Sequence, residues 1–190
     1  MDRGGNARAA GLPSPASVFY NEAMWTYVKR LVTGRPAPRP ASSVRKDVLR
    51  YEIQPGAYLE VFWKVLTIGR GPAVSLYVHG EEVLKIDCFG AGKGHYHVNA
   101  RQWSRARPGI VQRIYLREPT VEAQIERAVF ELQQNAPVYL QQNDDPRIRG
   151  FVMDPAKLRE ATEWMNTTMR EYMRRVPQGP DRGQADSPGA

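Results

Sequence analysis

The chain has 190 residues, of which 42% are hydrophobic and 25% are charged, with a formal net charge of +7. This composition is typical of globular proteins and excludes a fibrous or a wholly disordered chain. No apolar run reaches the roughly 18 residues that a membrane-spanning helix needs. The single cysteine, Cys88, excludes an internal disulfide and a multi-cysteine metal cage.

Both ends of the chain are rich in small and polar residues, which predicts flexible tails over residues 1–13 and 177–190. The first residues also lack the apolar stretch of a secretory signal, so we expect a cytoplasmic protein. One domain is predicted between the tails, over residues 14–176. Its first element is a helix at 15–33, which Ser14 can cap and Pro15 can open. This helix is apolar on more than one face, which indicates deep burial or a partner.

Residues 34–46 are predicted to form a linker, because their Pro and Gly residues disfavour a helix. From residue 47 to residue 117 the apolar residues then alternate with a period of two. Strands are predicted at 48–54, 57–68, 73–79, 82–89, 95–98 and 110–116. Most of the links between them are too short for a crossover helix, so the pairing must be antiparallel. Residues 137–142 could add an edge strand.

Two further helices are predicted from apolar residues at helical spacing, one over 119–135 and one over 155–175. Asp154 can cap the last helix, and Pro155 suits its first turn. The sequence therefore predicts an α+β fold. Its core would be an antiparallel β-meander of five or six strands, with three helices packed mainly on one face.

The segment with the clearest chemical content is Asp87–His97, which reads DCFGAGKGHYH. If residues 90–94 form a hairpin loop, Asp87 stands opposite His97, and cross-strand partners keep their Cβ atoms within about 5.5 Å. Alternation places His95 on the same face as His97. Asp87 would then orient the His97 imidazole, an arrangement suited to general acid–base catalysis by these two residues.

The same three side chains, Asp87, His95 and His97, form a candidate divalent-metal site, since two imidazoles and one carboxylate suit zinc, iron or manganese. A tight turn at Gly80 would pair His79 with Glu82 and place His79 on the opposite face, so we do not expect three histidines to converge. The competing interpretation is a structural Asp–His hydrogen bond that stabilises the hairpin. No organic cofactor is expected.

Two other segments are candidate binding sites. The glycine-rich loop offers Gly92, Lys93 and Gly94 to an anion, although it lacks the order of a Walker or a dinucleotide motif. Residues 101–117 hold five arginines and no acidic residue. Arginine binds phosphate and tryptophan stacks on bases, so this segment is a candidate nucleic-acid or ligand surface. Its candidate binding residues are Arg101, Trp103, Arg105 and Arg107.

Two functional hypotheses follow. The first is a small binding module that acts through its sheet surface and the basic segment at 101–117, with a protein partner, self-association or nucleic acid as the bound species and no membrane. The alternative is a small metal-assisted or general acid–base enzyme that uses the hairpin of Asp87, His95 and His97. The sequence does not decide whether the protein is an enzyme.

Overall fold

The computed structural model describes residues 43–175. Both predicted tails, the predicted helix at 15–33 and most of the predicted linker at 34–46 lie outside these residues. The described part contains a six-stranded antiparallel sheet and several helices, which confirms the α+β prediction. None of its helices is long and apolar enough to cross a membrane.

The strands follow one another across the sheet in chain order, as a meander does. Each strand pairs antiparallel with the next. The bounds are β1 Val44–Gln54, β2 Ala57–Leu66, β3 Gly69–Val78, β4 Glu81–Asp87, β5 His95–Val98 and β6 Ile114–Tyr115. β1 begins at Val44, so the sheet reaches into the last residues of the predicted linker.

The last strand, β6, is much shorter than the prediction of 110–116. The Val98 amide, which would continue the ladder with β6, donates instead to the side-chain Oε1 of Gln112 at 2.8 Å. A side-chain acceptor therefore replaces the backbone carbonyl at this point, and regular pairing is confined to Ile114 and Tyr115.

Two of the helices confirm the sequence prediction. α2 (Val121–Phe130) begins at the Thr120 cap, whose side chain accepts a hydrogen bond from the Ala123 amide. α5 (Pro155–Arg175) begins after Asp154, whose carboxylate accepts the amides of the first turn. The other helices are α1 (Ala100–Ala106), α3 (Ala136–Gln141) and α4 (Pro146–Arg149), and a π-helical turn over Glu131–Asn135 joins α2 to α3.

The edge strand suggested at 137–142 is wrong, because these residues belong largely to α3. Pro137 lies in the first turn of that helix, where no amide hydrogen bond is required. α1 was not anticipated either, and it occupies the start of the arginine-rich segment.

The hydrophobic core lies between one face of the sheet and the helices. Its fully buried members come from both layers: Leu59, Val61, Val74 and Leu76 from the strands, and Ile125, Leu132, Met165 and Met169 from the helical segments. Burying each such aliphatic side chain contributes about 1.5–3 kcal/mol.

Alternation along the strands directs a second set of side chains to the opposite face. Apart from Phe62 and Ala73, the buried members of this set are polar. They are Lys64, Ser75, Asp87, His95 and His97, which are between 0% and 6% exposed. Buried charged and polar groups are costly unless they are paired, so this face is where function is to be sought.

Candidate functional site

The strand register brings Asp87, His95 and His97 together, although not in the pairing expected from the sequence. Asp87 faces His95, and Lys85 faces His97. The register differs from the prediction by two residues, because the connection between β4 and β5 spans residues 88–94 rather than 90–94. A shift of two leaves every side chain on its predicted face, so the cluster still forms.

Three ligand-type atoms converge within this cluster. The Nε2 atom of His95 lies 3.3 Å from Oδ2 of Asp87, and the Nε2 atom of His97 lies 3.9 Å from the same oxygen. The three atoms all lie within 4.8 Å of one another. His95 is thus the direct neighbour of Asp87, the position that the sequence assigned to His97.

Lys64 is a fourth member of the cluster, and the sequence reasoning missed it. Its ammonium lies 2.6 Å from Oδ2 and 2.9 Å from Oδ1 of Asp87. Lys64 is on β2 and Asp87 on β4, so the side chain must cross β3, a distance of about 9.6 Å between strand axes. The β3 residues there are Gly71 and Ala73, which are small enough to leave a path. A lysine within the apolar run at residues 61–66 was the available signal.

The hydrogen bond on the far side of His95 fixes its tautomer. Its Nδ1 lies 2.9 Å from the carbonyl oxygen of Lys93. Because a carbonyl can only accept, the neutral ring carries its proton on Nδ1. The Nε2 lone pair is therefore directed toward Asp87, where a second acceptor is already present. Two acceptors at 3.3 Å repel unless a cation or a proton lies between them.

Burial keeps both imidazoles in the neutral form. It lowers the pKa of His95, and together with the nearby positive charge of Lys85 it lowers the pKa of His97 to about 3. Burial also lowers the pKa of Lys64, which Asp87 partly offsets. The pKa of the Cys88 thiol is raised by burial, so this cysteine is an unreactive core residue.

The loop of residues 88–94 is held mainly by Gln124 of α2. The Gln124 side chain accepts from the Gly90 amide and donates to the Gly90 carbonyl, both at 3.0 Å. The Lys93 and Gly94 amides both donate to that same carbonyl. The sequence predicts that Gly92, Lys93 and Gly94 bind an anion through their amides. Two of these three amides, those of Lys93 and Gly94, already donate within the loop.

His79 lies apart from the cluster, and the three histidines do not converge. It occupies the turn between β3 and β4 at a positive φ of 50°. Its ring packs edge-on against Phe151, with centroids 5.3 Å apart. The strand pair next to the turn is Val78–Glu81, so the expected pairing of His79 with Glu82 is wrong.

The first three arginines of the basic segment are engaged by other side chains. Arg101 pairs with Glu81 at 3.3 Å, and Arg105 pairs with Asp144 at 3.1 Å. Arg107 lies over the Trp103 ring, 4.2 Å from its centroid. A nucleic acid would have to displace these contacts to use the same groups.

Comparison with protein-family models, with curated proteins and with solved structures finds no match to this chain.

Proposed function

We propose that Asp87, His95 and His97 bind a divalent first-row transition-metal ion. The observation that carries this proposal is the convergence of two imidazole Nε2 atoms on one carboxylate oxygen. Two histidines and one carboxylate are a common ligand set for Zn²⁺ and for non-haem Fe²⁺. Metal–ligand bonds of about 2.1 Å place neighbouring ligand atoms about 3.0–3.5 Å apart. The 3.3 Å separation fits this range, and the 3.9 Å separation fits after a small rotation of His97.

The surroundings of the two imidazoles support the same conclusion. Metal-binding histidines usually donate their other ring proton to a carbonyl or a carboxylate, as His95 does to Lys93. The neutral imidazole is also the form that binds a metal. A general base, in contrast, works best with a pKa near the working pH, and the pKa of His97 lies far below neutrality. Metal binding therefore has more support than metal-free acid–base catalysis.

A metal ion at this site would compete with the Lys64 ammonium for the Asp87 carboxylate. The ammonium contacts both oxygens of Asp87 and neutralises its charge in the metal-free protein. A carboxylate has enough lone pairs for Lys64 to stay on Oδ1 while Oδ2 binds the ion. The nearby positive charge opposes the ion, so we expect a weaker site than one without a lysine. All three proposed ligands are buried, and the proposal is limited to binding of the ion and names no reaction.

The test is equilibrium titration of the chelator-treated full-length protein with Zn²⁺, followed by native mass spectrometry. One ion should bind per chain, and His97→Ala and His95→Ala should each lose it while keeping the circular dichroism of the parent, because both variants leave the Lys64–Asp87 pair intact. His79→Asn is the matched control, because Asn tolerates the positive φ at this position and His79 lies outside the cluster. Binding that survives in His97→Ala, or no binding by the parent, would refute the proposal.

The interaction module remains the second candidate, and one observation favours it. Four large apolar side chains are exposed within residues 110–115, inside the basic segment. Exposed apolar groups concentrated in one segment are typical of an interaction surface. The cytoplasmic location stays a prediction, which cell fractionation would check.

A further inference from the structure

β6 is the last strand of the described sheet, and its outer side is open. The Leu116 amide donates to the Gly94 carbonyl at 2.9 Å, so the even-numbered residues here direct their backbone groups toward β5. In an antiparallel pair, alternate residues direct these groups to opposite sides. The N–H and C=O groups of Arg113 and Tyr115 therefore point outward. Within residues 43–175 no further strand pairs with them.

The side chains along this edge are unusually apolar for an exposed position. Ten large hydrophobic side chains are exposed in the described part of the chain. Four of them lie in this strand or in the segment just before it: Ile110, Val111, Ile114 and Tyr115, with Val111 62% and Tyr115 56% exposed. Arginines and a short length are enough to protect a sheet edge from unwanted pairing. The exposed apolar groups add nothing to that protection, so they indicate a partner.

The charge of the edge indicates the kind of partner. Arg113 and Arg117 each lie two residues from Tyr115, so strand alternation places their side chains on the same face as the Tyr115 ring. No carboxylate of residues 43–175 forms an ion pair with either arginine. If a second copy paired symmetrically about Tyr115, Arg113 of one chain would face Arg117 of the other. Like charges directly opposite each other destabilise strand pairing. The edge therefore suits an acidic partner better than another copy of this chain.

We propose that the outer edge of β6 binds an extended acidic segment of a partner protein, which adds a strand to the sheet. Main-chain hydrogen bonds to Arg113 and Tyr115 supply the pairing, as in other cases of strand addition. In the partner segment, a central apolar or aromatic residue would face Tyr115. Acidic residues two positions before and after it would face Arg117 and Arg113. This specifies the partner of the interaction module. Tyr115 pairs with His95, with ring centroids 5.9 Å apart. The proposed strand pairing nevertheless needs only the backbone of β6 and the side chains of Arg113, Tyr115 and Arg117.

The test uses a short capped peptide with Glu, Tyr and Glu at alternate positions, separated by valines, titrated into the full-length protein. Fluorescence anisotropy of the labelled peptide reports binding. A second peptide of the same sequence carries N-methyl groups on alternate amides, so it keeps its charge and cannot pair along that edge. The protein variants are Arg113→Glu/Arg117→Glu and the control Arg159→Glu, which reverses an exposed arginine on α5.

The parent and Arg159→Glu should bind the unmodified peptide equally. The double variant and the N-methylated peptide should each weaken binding by about tenfold or more. Equal binding of the N-methylated peptide would overturn strand addition and leave charge attraction alone. In another outcome, the peptide fails to bind, while a single-stranded oligonucleotide binds tightly to the parent and not to Arg101→Glu/Arg105→Glu. That result would overturn the acidic protein partner and would keep the interaction module, with nucleic acid as its ligand. Failure of both probes would refute the module itself.

Discussion

At the scale of single residues, Lys64 and Asp87 decide the character of the second sheet face. Each is almost completely buried, and each carries a charge that would be costly without the other. The lysine crosses β3 beside Gly71 and Ala73, which are the β3 partners of Lys64 and Asp87. A side chain at Gly71 would clash with the Cys88 carbonyl, so the next segment of backbone requires glycine there.

Removing one partner of this pair should destabilise the fold strongly. In Lys64→Met the Asp87 carboxylate stays buried without its cation, and we expect the free energy of unfolding to fall by about 3–5 kcal/mol. Urea unfolding at neutral pH measures this loss. The double variant Lys64→Met/Asp87→Leu should recover most of it, because no charge is then left unpaired. Lys157→Met, at an exposed position on α5, should change stability by less than about 0.5 kcal/mol. Full stability in Lys64→Met would show that the pair contributes nothing.

At the scale of elements, the π-helical turn between α2 and α3 is built around Glu131. This side chain is completely buried. Its carboxylate accepts hydrogen bonds from Arg127 at 2.8 Å, Asn135 at 2.7 Å and the Tyr139 hydroxyl at 2.6 Å. The Glu131 carboxylate thus accepts hydrogen bonds from α2, from the π-helical turn itself and from α3. These contacts join α2 and α3 into one helical run, which explains why residues 137–142 form no strand.

Glu131 should make stability depend on acid. Burial alone would raise the pKa of Glu131, but the hydrogen bonds from Asn135, Tyr139 and Arg127 outweigh it and lower the pKa below 4.5. The unfolded chain then binds the proton more readily, so this contribution is present above about pH 4.5 and is lost as the pH falls through the folded pKa.

We therefore expect Glu131→Gln to lose about 1–3 kcal/mol at neutral pH and to show a smaller further loss in acid. Urea unfolding across the acid range measures both effects. Glu126→Gln is the control, since this carboxylate is exposed and pairs only with Arg170 among the described residues. An unchanged acid profile in Glu131→Gln would contradict the assignment.

At the scale of the whole molecule, the proposed metal would join β4 to β5 only in the folded state. A ligand that binds the native state alone stabilises it by about 2.7 kcal/mol when its free concentration is 100 times the dissociation constant. Added Zn²⁺ should therefore raise the melting temperature of the parent, and EDTA should reverse the rise. His79→Asn should respond like the parent, whereas His95→Ala should not respond. An equal rise in His95→Ala would place the ion elsewhere.

Much of the architecture could be predicted from local signals. The alternation around Leu59 and Leu76, with short turns between strands, leads directly to an antiparallel meander. The cap at Asp154 and the spacing of Met165 and Met169 locate α5 with its observed bounds.

Two predictions were wrong where a side chain makes a hydrogen bond to a residue distant in sequence or in the next helix. Gln112 accepts from the Val98 amide, and β6 is short. Glu131 accepts from Tyr139, and residues 137–142 are largely helical.

The sequence by itself determined the fold class and the shared face of Asp87, His95 and His97, because strand alternation survives any register change of two residues. Only the tertiary structure decided that His95 is the direct neighbour of Asp87, and that Lys64 reaches the same carboxylate from two strands away. The first outcome depends on the length of the loop after β4, and the second depends on a long side chain that crosses β3. Distances across the sheet are set by packing between strands, and local patterns along one strand carry no information about them.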